Sequence, residues 1–252
     1  MNKLLRYLSL SSVCGFAAAG LGAAEPQPVY ELRIYTTHPG KMPALLARFR
    51  EHTCAIFARL GMENVGYWLP LDTSESNRLY YVLKHASREA AKASWETFNA
   101  DPEWIAARNA SEAAGPIVAK VESTFMTITD FSPAPPALTG AHVFELRIYQ
   151  TNAGKLVALD ARFRDHTMTL FARHGLTNVI YWHPTDADKG AGKTLIYLLA
   201  HPSRDTAKKS WDAFHADPEW IAARTESEKN GPLLDGTPRS IFLAPTDFSP
   251  MK

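Results

Sequence analysis

The 252-residue chain is written twice over. Val29–Tyr35 (VYELRIY) returns as Val143–Tyr149 (VFELRIY), and Gly40-Lys41 returns as Gly154-Lys155. Arg48–Thr53 (RFREHT) returns as Arg162–Thr167 (RFRDHT), and Asn64–Trp68 returns as Asn178–Trp182. DPEWIAAR is identical at Asp101–Arg108 and Asp217–Arg224, and the ending DFSP stands at Asp130–Pro133 and Asp247–Pro250. The offset grows from 114 to 116 to 117, so small insertions fall between Pro70 and Leu79 and again after Pro116. A period this long excludes a solenoid, whose repeats run about 20–50 residues. It specifies a duplicated domain: copy one over 25–133, a Pro-rich linker over 134–140, and copy two over 141–252.

Residues 1–24 stand outside the repeat. Lys3 and Arg6 precede the mostly apolar stretch Tyr7–Ala19, and Gly22-Ala23-Ala24 places small residues where a signal peptidase reads. This pattern predicts a secretory signal peptide cut after Ala24, and so a secreted or periplasmic protein. The apolar run is short and rich in Ser, Ala and Gly for a membrane span, and no transmembrane segment is expected in the mature form. Val13 before Cys14 is a poor lipidation signal. Without the leader, 228 residues remain, with 25 Lys and Arg against 26 Asp and Glu, since Lys3 and Arg6 leave with it. A balance near zero offers no basic field for nucleic acid. Cys54 is then the sole cysteine, so no intramolecular disulfide forms and packing must supply the stability.

Each copy carries the same run of elements. Tyr30–Thr36 alternates and is rich in β-formers, which predicts a strand. Met42–Leu60 puts Leu45, Phe49, Ile56 and Leu60 at helical spacing, with Gly61 as the stop. Asn64–Leu69 and Leu79–Lys84 read as strands. Ser87 suits an N-cap for a helix with Ala91, Trp95 and Phe98 on one face, and Val121–Thr129 closes the unit as a strand. The order is β-α-β-β-α-β, the ferredoxin-like arrangement of an α+β protein. In DPEWIAAR, Asp101 is a good N-cap, Pro102 suits the first helical position and Glu103 favours a helix N-terminus. The segment predicts a short extra helix tethered by Trp104 and repeated because each domain needs the tether.

ELRIY near a domain start, the following Gly-Lys, the His-containing helix end, DPEW and the closing DFSP together resemble the NIPSNAP family in both copies. The resemblance implies the dimeric α+β barrel, two ferredoxin-like sheets face to face with helices outside. Here both sheets belong to one chain, so the barrel is expected to be intramolecular. Related barrels include cofactor-independent monooxygenases and haem-handling enzymes. Eukaryotic NIPSNAP proteins are associated with mitochondria and mitophagy signalling, a location from which the leader departs.

Candidate site residues follow from period two along the first strand. Glu31, Arg33 and Tyr35 share one face and Tyr30, Leu32 and Ile34 the other. If the apolar face lies under the helices, Glu31, Arg33 and Tyr35, with Glu145, Arg147 and Tyr149, enter the barrel interior. Two readings stand there: an ion-pair network that fixes how the sheets meet, or a polar cavity that binds a small anionic or polar molecule. His52 and His166 lie near the apolar helix face, as packing or as ligand-binding groups. His85 and His201 also correspond, but no H-x-x-x-H or paired-Cys spacing accompanies them, so no metal site is expected and no cofactor is named. Tyr35, Tyr67, Trp68, Tyr80 and Tyr81 suit either a pocket wall or a sheet core. There is no G-x-S-x-G, P-loop or G-x-G-x-x-G, and Met168 stands where Cys54 would repeat, which excludes a duplicated nucleophile though not a single asymmetric one. Three functional classes remain: a small-molecule binder, an oxygenase-like or haem-handling enzyme, and a structural or partner-binding protein. A homo-oligomer is compatible with each.

Overall fold

The structure is a computed structural model, and it describes residues 27–252. The expected leader and the cut before Glu25 lie outside the described residues. Copy one contains β1 (Val29–Thr37), α1 (Met42–Arg48), α2 (Cys54–Arg59), β2 (Glu63–Pro70), β3 (Arg78–His85), α3 (Arg88–Ala100), α4 (Pro102–Ser111) and β4 (Val118–Ile128). Copy two contains β5 (Val143–Gln150), α5 (Leu156–Arg162), α6 (Met168–Arg173), β6 (Thr177–Pro184), β7 (Thr194–His201), α7 (Arg204–Ala216), α8 (Pro218–Ser227) and β8 (Arg239–Pro245). The ferredoxin-like order expected from the sequence is present twice. The first expected helix is interrupted in each copy by a π-helical turn, Phe49–Thr53 and Phe163–Thr167. There the Thr53 hydroxyl donates to the Arg48 carbonyl and the Thr167 hydroxyl to that of Arg162.

The two sheets join into one closed antiparallel barrel in the order β1-β3-β2-β8-β5-β7-β6-β4. The junctions are short. β8 of copy two pairs with β2 of copy one through Trp68–Pro70, and β4 of copy one pairs with β6 of copy two through Met126–Ile128. Closure leaves the sheet no free edge of the kind that recruits other chains.

The last residues of each copy then strap onto the other copy. Beyond β8, the Tyr67 amide donates to Ser249 Oγ at 2.9 Å, Phe248 packs on Phe49 and Tyr67, and Arg50 makes a two-pronged contact with Asp247 at 2.7 and 2.8 Å. Beyond β4, the Tyr181 amide donates to Ser132 Oγ at 3.0 Å, Phe131 packs on Phe163 and Tyr181, and Arg164 holds Asp130. The repeated DFSP motif is thus a reciprocal clasp.

The barrel interior is lined by apolar side chains. Leu32, Trp68, Tyr80, Val82 and Met126 of copy one meet Phe144, Leu146, Trp182, Ile196 and Leu198 of copy two in one buried cluster. Tyr30 packs on Trp182 with ring centres 5.7 Å apart, and Trp68 on Phe144 at 5.6 Å. This inverts the expected faces of the first strand. Tyr30, Leu32 and Ile34 enter the barrel, while Glu31, Arg33 and Tyr35, with Glu145, Arg147 and Tyr149, point outward beneath the helices. The physical reason is hydrogen bonding. The helix layer supplies polar partners for a carboxylate, whereas the interior cluster supplies apolar contacts, and an unsatisfied buried charge costs several kcal/mol. A second apolar cluster under the helices of copy one holds Leu45, Phe49, Ile56, Phe57, Tyr67, Tyr81 and Phe98, and copy two has its equivalent.

The DPEWIAAR segment forms α4 and α8 as expected. Asp101 accepts from the amides of Glu103 and Trp104, and Trp104 stacks on Phe98 at 4.4 Å on one side with Arg48 over its ring at 5.0 Å on the other. Arg48 is itself buried and donates to Ser111 and Glu112, so α4 is pinned at both ends. Among the described residues no helix is long and apolar enough to cross a membrane.

Candidate functional site

Period two on β1 aims Glu31 and Arg33 at Trp95 of α3 and Tyr35 at Phe49, and the neighbouring strands deliver partners at the matching register. Glu31 is 1% exposed and accepts four hydrogen bonds. Arg33 at 2.5 Å and Ser123 at 2.6 Å donate to Oε1, while Trp95 Nε1 at 2.8 Å and His85 Nε2 at 3.2 Å meet Oε2. A carboxylate can only accept, so His85 Nε2 carries the proton. Burial alone would raise the Glu31 carboxyl. The His85 bond, the Arg33 charge and the Ser123 and Trp95 bonds overcome this and hold it down at about 2. The Arg33 guanidinium lies 4.1 Å from the centre of the Trp95 ring, a cation–π contact.

Copy two repeats the cluster. Glu145 accepts from Arg147 and Ser240, each at 2.6 Å, from Trp211 at 2.8 Å and from His201 at 3.1 Å, and is also held down at about 2 against its burial. Arg147 lies 4.2 Å from the Trp211 ring centre. One contact differs. Arg33 Nε donates to Tyr81 OH at 2.9 Å, whereas Arg147 Nε and Tyr197 OH are buried without a hydrogen-bond partner among the described residues.

The surroundings of Arg147 also differ. In copy one, β4 starts at Val118 and pairs along β1 as far as Thr37. In copy two the equivalent stretch is one residue longer and reads Leu233-Leu234-Asp235-Gly236-Thr237-Pro238. Gly236 takes φ +82°, and Pro238 has no N–H for a ladder, so β8 begins only at Arg239 and pairs with β5 from Ile148 inward. The freed loop forms the lip of a cleft of about 510 Å³, walled by Arg147, Tyr149, Arg162, His215, Trp220 and Arg224. A second cleft of about 580 Å³ opens on the other side, lined by Glu145, Arg147, Trp211 and His215.

Of the expected site residues, Glu31, Arg33 and Tyr35 come together, as do Glu145, Arg147 and Tyr149. His52 and His166 do not join them. They sit on the π-helical turns, His52 half-buried and His166 exposed beside a separate groove with Asp165 and Ala223. His85 and His201 are the histidines that reach the carboxylates. His215 was not singled out from the sequence, yet it lines both clefts and stacks on Trp211 with ring centres 5.5 Å apart. Although the ring is exposed at the surface, partial burial, then the Arg147 and Arg224 charges, lower its pKa. Its signal was a difference between copies, since Asn99 stands at the same place in an otherwise matching segment. Among the described residues no three His, Cys, Asp or Glu side chains converge as a metal requires.

The fold and site define a single-chain α+β barrel with a buried polar cluster under each helix layer. The NIPSNAP family profile matches residues 30–133 and again 144–250, and the chain belongs to the NIPSNAP family. No functionally curated protein matches the sequence. Among solved structures, a provisionally named monooxygenase from Fusobacterium nucleatum is similar at a TM-score of 0.58 and 10% identity, over 88% of this chain and 94% of that one. An anthrone oxidase-like protein is similar at a TM-score of 0.56 and 15% identity, over 90% and 95%. A provisionally named monooxygenase from Lactobacillus acidophilus is similar at 0.53 and 13%, over 87% and 94%. At these identities the likeness concerns the fold alone.

Proposed function

We propose that this NIPSNAP-family protein binds a small organic molecule in the outer clefts of copy two, with copy one as the structural counterpart that completes the barrel. The observation that carries this reading is the place of Arg147. It is ion-paired to Glu145, stacked on Trp211 and shared by two clefts whose sizes fall within the range of ligand sites, about 300–1,000 Å³. Among the residues expected to bind a ligand, Glu145, Arg147 and Tyr149 would do so here, while Glu31, Arg33 and Tyr35 would hold the structural twin. The apolar interior leaves the barrel itself as core.

The test is a fragment screen read by thermal shift on the mature protein, with Thr237→Trp at the exposed lip as the blocking variant. A fragment at a hundred times its Kd stabilises the folded state by about 2.7 kcal/mol. Fragments that stabilise the parent and not the blocked variant support the reading, and a screen without such fragments refutes it. A second reading, oxygenation of the bound molecule, takes support from the names of two fold neighbours and from the place of His215, an imidazole on the wall of both clefts. It is checked by oxygen consumption with the fragments found. We propose export on the leader pattern of residues 1–24.

A further inference from the structure

Given the copy-two cleft as a binding site, its wall indicates what kind of molecule belongs there. Arg162 is buried at 3% side-chain exposure, donates to Ser227 and Glu228, lies 5.1 Å from the Trp220 ring centre, and leaves its Nε without a partner among the described residues. Arg224 stands at the rim, 62% exposed, and meets the same Glu228 at 3.2 Å. Arg147 is paired with Glu145. Three guanidiniums are therefore balanced by two carboxylates, which leaves one positive charge in excess at a partly desolvated wall. Arg147, Arg224 and His215 line this cleft together, and the carboxylate that also acts on His215, Asp212, is paired with Lys208 at 2.7 Å. The remaining surface is flat and apolar, from Trp220, Tyr149, Leu234 and Pro238.

We infer that the cleft takes a small aromatic carboxylate, its head group on the exposed Arg224 and in the field of Arg147, whose terminal nitrogens already hold Glu145 and Tyr149 OH, and its ring against Trp220 and Tyr149. A guanidinium presents paired N–H donors that match the two oxygens of a carboxylate. One surplus charge suits a monoanion better than a dianionic phosphate, and a volume of about 510 Å³ far exceeds an inorganic ion. Aromatic rings supply contact area for the apolar body. Copy one repeats the charges, with Arg33, Arg48 and Arg108 against Glu31 and Glu112, so what sets copy two apart is the extra residue in the 233–238 loop and the Asn99/His215 difference.

The experiment is calorimetric titration of the mature protein with 2-naphthoate, 2-naphthamide and inorganic phosphate. The naphthoate is expected to bind once per chain, the amide at least tenfold more weakly, and phosphate not at all. Arg224→Gln, at an exposed position, should weaken the naphthoate about tenfold and leave the amide unchanged. Thr237→Trp should block both organic probes, and Arg108→Gln, the copy-one counterpart, should change nothing. Equal binding of acid and amide, or an unaltered naphthoate Kd in Arg224→Gln, overturns the carboxylate assignment. If the naphthoate fails while neutral fragments still bind and are blocked by Thr237→Trp, the class is wrong and the cleft stands. If no compound shows lip-dependent binding, both fall.

Discussion

Replacing Glu31 by Gln changes one atom and tests the buried cluster directly. Each carboxylate oxygen accepts two donors, Arg33 and Ser123 on one and His85 and Trp95 on the other. Whichever oxygen becomes the amide NH₂ then points a donor at two donors, and Arg33 loses its counter-charge at 14% exposure. Breaking a buried pair from one side costs about 3–5 kcal/mol. Acidity gives an independent figure. A carboxyl held at about 2 rather than its ordinary 4.5 stabilises the fold by about 3 kcal/mol at neutral pH, with about 1.4 kcal/mol per tenfold step in proton affinity. Because the folded pKa is the depressed one, this stability is present above pH 4.5 and lost as pH falls toward 2. Urea unfolding followed by tryptophan fluorescence should show a midpoint lower by more than about 1 M at pH 7, for slopes of about 1–3 kcal/mol per molar. The difference from the parent should shrink as pH falls below 4.5. The double change Glu31→Leu with Arg33→Met should not restore stability, because Ser123, His85 and Trp95 each lose an acceptor at about 1–3 kcal/mol. A Glu31→Gln midpoint within 0.3 M (roughly the scatter of such fits) of the parent, or a gap that persists unchanged at pH 2, would refute the argument.

The straps should separate charge from packing. Asp247→Asn, at an exposed ion pair, should leave the urea midpoint close to the parent's, while Phe248→Ala should cost about 2–4 kcal/mol by removing its contacts with Phe49 and Tyr67. For export, mass spectrometry of protein from the native host should find Glu25 at the N-terminus, and an intact Met1 would reject the leader.

The duplication made the fold legible before any coordinates, because two matching βαββαβ patterns in one chain leave few ways to bury two sheets. The tether role of Asp101 and Trp104 was legible too, since caps and helix starts are local. The direction of the first strand was not. Alternation separates Glu31 and Arg33 from Leu32 and Ile34, but it does not say which set turns inward. That choice is made by Trp95 and Ser123, 64 and 92 residues away, which supply the carboxylate's donors. The cleft is hidden for a different reason: it arises where the copies disagree, at Gly236, Pro238 and His215, whereas a repeat is legible only where its copies agree.

Strand β8 divides its labour along its length. Its C-terminal end and the DFSP clasp fasten the barrel to the opposite copy, while its N-terminal end gives way to the loop that borders the cleft. Closure and the proposed recognition thereby fall to opposite ends of one strand. The 233–238 loop is anchored where it starts, with Leu233 buried and Leu234 bridged to Thr151, so only its exposed tip at Gly236 and Thr237 is independent of the seam at Trp68–Pro70.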